Sequence, residues 1–423
     1  MHLYLFLLVI VSLSCGSLPP GDVGMLQPAM ATLCMSLAWI ILCHVSARIC
    51  AVQVRQENLE PLTAALVMER QLSVFRWLGL GVVVLCLGGF GLAGSLDAVP
   101  VLGQSMFLRA IILLAPGLAI TVGTWSAEHI YGAMLDYTEP GVGNYMRSLW
   151  QIFRGQAAWL VIPILILLGL SDLIGLLPLS DAAIGLLSAL LILLFVPLGL
   201  PWLIRHLFKT SQLDSVTERW VCALMASVGL RRTRAVCWDT ENKSFNALVA
   251  GFVPPLRTLL ISDRLLAELP REQVAMVVLH EAAHLRRRHV PLRMLSVLPA
   301  WGIGALVTRM AGGESWAMVA GSVVGIVLTM VILRWVAYRT EFDADVQACR
   351  MAASISGNLP GVPSSYDQAA EALSAALMRV TFDHPDSRKA TWLHPSVAQR
   401  VDRMRQESDS VKAPSVKSII HPA

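Results

Sequence analysis

Five consecutive residues, His280-Glu281-Ala282-Ala283-His284, place two imidazoles four positions apart with a carboxylate between them. On an α-helix, residues four apart share a face, so both rings can reach one cation while Glu281 stands beside it. This set of groups suits zinc and hydrolysis. Zinc lowers the pKa of a bound water to about 7, and a neighbouring acid can take the proton. The flanking segment from Glu272 to His289 carries apolar Val274, Val277, Val278 and Leu285 and no helix breaker, which predicts a helix. If the histidines merely filled a core, Glu281 would be a carboxylate in apolar surroundings without a partner, a costly arrangement that a metal site relieves.

The elements that must position this motif lie mostly in lipid. Hydrophobic residues make up 55% of the 423 positions and charged residues 15%, against about 25% charged in soluble domains. Seven stretches are long and apolar enough to cross a bilayer: 26–47, 77–96, 104–124, 157–179, 182–204, 292–310 and 315–336. The sixth is the shortest, and it requires Arg293 and Arg309 to reach toward the headgroups. Residues 1–24 form either a signal peptide or an eighth span, because Tyr4 to Leu13 has the length of a signal core but no Lys or Arg in front. Residues 25–204 carry membrane helices with no assigned role.

Loop charge sets the orientation, since Lys and Arg are retained on the cytoplasmic side. Arg48, Arg55, Arg70, Arg76, Arg147 and Arg154 fall in loops on one side, and the loops at 97–103, 180–181 and 311–314 hold no basic residue. The polar segment from Arg205 to about Pro291, and the chain after Arg339, are therefore expected in the cytoplasm of a cell that carries this protein in its inner or plasma membrane. The formal net charge of +4 is small and its arginines scattered, which excludes a nucleic-acid partner. Of the eight cysteines, Cys34, Cys43, Cys50 and Cys86 lie in or beside apolar runs and none forms a CxxC pair, so they read as packing residues.

Within the polar segment, β character at Ala235–Cys237, Phe245–Val249 and Thr258–Ser262 predicts a small sheet, with a turn at Asp239 to Asn242. Ser262 or Asp263 can cap a short helix through Leu266, and a second helix starts near Arg271 after Pro270. A loop rich in Gly, Pro and Ser at Ser354–Ser365, a helix at 367–379 and a disordered tail from 404 to 423 complete the reading. The catalytic part thus spans 205–403 and includes a membrane hairpin at 292–336.

A catalytic zinc has three protein ligands and an open position. His289 is five residues past His284 and would point away from the shared face. Glu314 belongs to a loop on the opposite side of the membrane. Glu341 is the first acid back on the active side, at the start of Glu341-Phe342-Asp343-Ala344-Asp345. Asp345 lies one turn on and can accept the free N–H of a ligand histidine. The alternative for this cluster is a solvated helix start at the membrane edge.

HEAAHLRRRH followed after a two-span hairpin by RTEFDAD is similar to the HtpX and CAAX prenyl endopeptidase (Ste-type) group of membrane zinc metallopeptidases, which carry HExxH, two membrane helices, then ExxxD. The resemblance covers about Arg232 to Arg403. It implies a multi-pass α-helical membrane protein with a mainly α, zincin-type α+β domain, and one zinc per chain. His280, His284 and Glu341 would be the ligands, Glu281 the base and Asp345 the orienting acid. Asn246-Ala247-Leu248 stands where the family has an Asn-Ala-Phe strand that pairs with extended substrate. His394-Pro395-Ser396 with Arg400 resembles a late element whose His and Arg approach the zinc, either stabilising the oxyanion or, for His394, capping the metal as an inhibitory fourth ligand. Ala283 replaces the family's glycine, and Leu248 its Phe. The expected activity is cleavage of membrane-associated or misfolded polypeptides. Alternatives are a BlaR-type sensor peptidase and a non-catalytic membrane scaffold or transporter.

Overall fold

The computed structural model describes residues 2–19, 24–139, 141–242, 244–251, 253–313, 315–355, 359–383 and 388–412. Seven helices among them are long and apolar enough to cross a membrane: Leu26–Arg55, Pro61–Gly89, Met106–Met134, Ala158–Gly175, Asp181–Leu207, His289–Met310 and Trp316–Ile355. The chain divides into two compact units, Met1–Phe195 with Glu314–Val319, and Val196–Gly313 with Ala320–Ala423.

The first unit is helical: α1 (His2–Ser14), α2 (Leu26–Arg55), α3 (Pro61–Val84), α4 (Leu92–Ser95), α5 (Pro100–Gln104), α6 (Met106–Met134), α7 (Val142–Gln156), α8 (Ala158–Gly175) and α9 (Asp181–Leu194). Tyr4, Leu5, Leu8 and Val9 of α1 are buried, and the Tyr4 hydroxyl lies 3.0 Å from that of Thr121 on α6. Gly117 permits this approach, because a Cβ there would lie 2.9 Å from the Leu8 side chain. The second span does not occupy 77–96. It starts at Pro61 and ends in a π-turn at Leu85–Gly89, after which Gly91 turns left-handed at φ +80°. The helix persists through its charged first half because α6 supplies partners: Arg76 donates to Thr124 at 3.3 Å and pairs with Glu128. Asp172 on α8 accepts from Ser105 Oγ and from the Met106 and Phe107 amides at 2.7–2.9 Å, closing the start of α6.

The second unit opens with α10 (Leu200–Leu207), β1 (Thr210–Ser211), α11 (Ser215–Ser227), β2 (Arg234–Trp238), β3 (Ala247–Ala250), β4 (Thr258–Ser262), α12 (Asp263–Glu268) and α13 (Arg271–Arg286). It continues through α14 (His289–Ser296), α15 (Leu298–Met310), α16 (Ser315–Ile355), α17 (Tyr366–Val380) and α18 (Val397–Lys412). The sheet runs β1-β2-β4-β3, with β2 and β4 parallel and β3 antiparallel to β4, so β3 is an edge strand. Ser262 is the cap of α12, accepting from the Leu265 amide, and its hydroxyl also receives the Asn246 amide at 3.0 Å. Asp263 instead binds the Thr240 and Asn242 amides, holding a turn in which Glu241 and Asn242 are both left-handed. Leu259, Ile261, Val278, Leu279, Ala282, Ala344, Ala348, Leu373 and Met404 share one buried core.

At about 1.5 Å per residue the 41-residue α16 is about 60 Å long, twice a bilayer's hydrocarbon thickness. Its last third therefore stands clear of lipid. The expected tail from 404 is corrected over 404–412, which form the end of α18, held by Met404 in the core and by an Arg350–Glu407 pair. Residues 413–423 lie outside the described residues, as does Glu314. All eight cysteines are free.

Close backbone approach joins α15 to α16. A Cβ on Gly321 would lie 2.0 Å from Thr308 Oγ1 and 2.5 Å from the Gly304 carbonyl, whereas one on Gly325 would make ordinary contact at 3.5 Å. Gly321→Val is expected to cost about 2 kcal/mol by overpacking, read as a lower melting temperature in detergent. Gly325→Ala should stay within about 0.5 kcal/mol of wild type, and equal effects of the two would refute this account of the hairpin.

Candidate metal centre

Helix α13 begins after Pro270 and carries Glu272 in its first turn and Arg286 in its last, charges that complement the helix dipole. It is buried along Val274, Ala275, Met276, Val278 and Leu279, and this buries His280 in the domain and leaves Glu281 half-buried beside it. His280 Nε2 and His284 Nε2 face each other at 3.1 Å. Glu341 on α16 brings Oε2 to 3.8 Å from His280 Nε2 and Oε1 to 3.4 Å from His284 Nε2. A tetrahedral ion with bonds of about 2.0–2.1 Å needs donors about 3.3 Å apart, so these three side chains could hold one metal ion. Burial, with the nearby His280, drives the His284 pKa well below its ordinary value, leaving a neutral imidazole with a lone pair for a ligand bond.

Behind these three side chains, Asp345 Oδ1 lies 2.9 Å from His280 Nδ1. Burial opposes charge on His280, but the Asp345 carboxylate outweighs it and raises the ring's proton affinity. Asp345 is itself gripped by Arg400 on α18, with Nε to Oδ2 at 2.7 Å and Nη2 to Oδ1 at 2.6 Å. Burial works against the Arg400 charge, and Asp345 overrides it and holds the guanidinium firmly protonated. Its remaining nitrogen, Nη1, stands 3.9 Å from Glu341 Oε2, and His394 Nδ1 lies 3.1 Å from the same oxygen. His394 is more than half exposed, whereas Arg400 is buried. The late His and Arg thus do reach Glu341.

Glu281 has different surroundings. Burial, with Glu341 adding to it and His280 opposing, pushes its carboxyl up to about 7. It accepts the backbone amide of Val249, so the outer edge of β3 runs past the acid. Ala247 and Leu248 on this strand are half-buried, and Asn246, just before it, is exposed.

Two parts of the site escaped the sequence. His289 does not point away: α13 stops at Arg286, Arg288 turns left-handed at φ +55°, and α14 begins at His289, returning its ring to the site. His289 Nδ1 lies 2.9 Å from His284 Nδ1 and its Nε2 3.0 Å from Asp343 Oδ2, while Arg287 Nε donates to the same oxygen at 2.8 Å. Arg293 does not snorkel. It donates to Thr340 Oγ1 and to Glu341 Oε1 at 2.8 Å. The left-handed Arg288 carries no sequence signature, and Arg293 in an apolar stretch reads as a membrane-edge charge, so neither could be placed from spacing. The middle acid of Glu341-Phe342-Asp343-Ala344-Asp345 was the one available signal for Asp343.

Residues 209–408 match the sequence profile of peptidase family M48. This segment is a peptidase family M48 domain. The fold is similar to the crystal structure of Ste24p from S. mikatae, with a TM-score of 0.51 at 14% identity, covering 91% of this chain and all of that one. No curated protein matches in sequence. The protein is a multi-pass membrane metallopeptidase with a mostly helical Ste24p-like fold and a small mixed sheet. The M48 domain contains every site residue named above, from Asn246 to Arg400.

Two outcomes follow from the M48 site's charges. In metal-stripped protein, Glu281 is protonated in both folded and unfolded states below about pH 4.5. Between 4.5 and 7 the unfolded chain loses that proton first, so stability falls as pH rises, by at most about 3 kcal/mol. Metal-stripped Glu281→Gln should therefore melt above metal-stripped wild type at pH 8 and level with it at pH 4.5; a gap independent of pH would contradict the assignment. Arg400→Met leaves Asp345 buried without its partner, and chelator competition should register a 10–100-fold weaker metal affinity. Unchanged affinity would remove Arg400 from the site's support.

Proposed function

We propose that the M48 domain is a zinc-dependent endopeptidase with one zinc ion per chain, held by His280, His284 and Glu341. Its substrates on this reading are extended segments of membrane-associated or misfolded polypeptides. The observation that carries the reading is Glu281: a half-buried carboxyl, pushed up to about 7, between the three donor side chains and the amide of an edge strand. A group that must take a proton and then return it works best with a pKa near the operating pH.

Zinc, when bound, would supply Lewis acidity toward a peptide carbonyl and acidify a water. The chain's own residues do the rest. Glu281 removes a proton from the attacking water and delivers it to the leaving amine. The outer edge of β3, apart from the Val249 amide that Glu281 takes, offers backbone groups to a peptide in extended form, with the Asn246 side chain just before the strand, and the half-buried Leu248 meets a substrate side chain. His394, exposed at the rim and 3.1 Å from Glu341, is placed to donate to the developing oxyanion. Arg400, with Nε and Nη2 both donating to Asp345, acts by positioning. The bias of arginines toward one set of loops supports a cytoplasmic site in the cell membrane.

The test compares wild type with Glu281→Gln on a denatured membrane-protein substrate in detergent, with zinc measured in both. The expectation is a loss of at least about 100-fold in cleavage with zinc content near one per chain unchanged. Equal cleavage would reject Glu281 as the base, and wild-type protein that cleaves without zinc would reject the metal.

A further inference from the structure

The first unit holds, apart from the candidate metal centre, an open surface cavity of about 640 Å³ between the ends of α2 and α6 and the start of α7. Two arginines line it, Arg48 and Arg55, seven residues apart and so on one face of α2. Both are exposed and neither makes a hydrogen bond or ion pair among the described residues, and no acid lines the cavity. His129 and Tyr145 form another wall, their rings edge-to-face at 5.3 Å. The His129 Nδ1 is buried without a hydrogen-bond partner among the described residues. The remaining surface is apolar, from Ile130 and Met134.

Depth in the bilayer gives these groups a meaning. Arg48 lies 22 residues, about 33 Å of helix, beyond Leu26, and Arg55 about 10 Å further, so the pair brackets the headgroup layer at one end of the span. Helix α7 lies against the cavity and presents Val142, Met146 and Trp150 as an exposed apolar stripe, while Leu149, Ile152 and Phe153 on its other side pack into the unit. An amphipathic helix with an outward Trp fits a bilayer interface.

We propose that this cavity is a binding site for one anionic phospholipid, with Arg48 and Arg55 on the phosphate and the apolar wall of Ile130 and Met134 against the glycerol and first acyl carbons. An unpaired guanidinium pair beside an apolar wall matches an amphiphile with a negative head, and the fork of each guanidinium fits phosphate oxygens. A zwitterionic headgroup would bring its own cation against the arginines. The site is independent of the peptidase centre and stands whether or not the zinc assignment does.

The test uses the full chain in neutral detergent and native mass spectrometry with dioctanoyl phosphatidylglycerol, dioctanoyl phosphatidylcholine and inorganic phosphate. The expected result is at least tenfold tighter retention of phosphatidylglycerol than of phosphatidylcholine by wild type and by Arg70→Gln, an exposed control outside the cavity. Arg48→Gln/Arg55→Gln should bring the two lipids within twofold. Among the described residues neither arginine has a partner, so the variant should keep the wild-type melting temperature; if it does not, each single substitution should halve the preference or more. Equal retention of both lipids by wild type, a preference that survives loss of both arginines, or displacement of the lipid by an equal concentration of inorganic phosphate would each overturn the proposal.

Discussion

Asp345 and Arg400, buried side by side behind the candidate metal centre, hold three helices to one point. Asp345 reaches back to His280 on α13, it stands on α16, and its bidentate partner comes from α18. Neither charge could remain in this interior alone, because an unpaired buried ion costs several kcal/mol. Each requires the other, and through them the far end of the chain fixes the orientation of a ring 120 positions earlier. The same bonds close the domain core, since Ala344 and Ala348 flank Asp345 on α16 and Met404 follows Arg400 on α18.

The two carboxylates of the centre are given opposite environments. Glu341 is met by polar groups on several sides, with the Arg293 guanidinium at 2.8 Å, His394 Nδ1 at 3.1 Å and the Arg400 guanidinium at 3.9 Å. Glu281 has burial and one backbone amide, and its proton affinity rises to about 7. A charged acid suits a ligand and an acid near neutrality suits proton transfer, so environments of this kind separate two roles that residue type alone leaves identical.

Length is the second constraint. A helix that ended with the hydrocarbon layer would leave Glu341 at the headgroups, but α16 runs on unbroken from lipid into the catalytic domain. The start of α14 makes a comparable adjustment in the opposite sense. The left-handed Arg288 ends α13 and turns the chain at once, which places His289 and Arg293 beside His284 and Glu341 before the hairpin enters the apolar stretch.

His280, Glu281 and His284 were legible in the sequence because their relation is local: a helix converts a spacing of four into a shared face without help from the rest of the fold. The seven spans were legible for a similar reason, as each needs only its own run of apolar residues. Glu341 and Asp345 could be named because they share one turn and because a hairpin must return the chain to its starting side. Span limits were less secure where charges lie within a helix, as at Arg76, since a distant partner, Glu128, decides whether such residues leave the helix or stay in it. Most of the supporting shell was not legible. His289 depends on a single left-handed residue, Arg293 on whether a polar neighbour or the headgroups receive it, and the grip of Arg400 on the packing of α18. Local periodicity therefore determined the motif and the membrane segments, while tertiary structure decided which buried charges meet, because charge pairing acts through space and leaves no period in the chain.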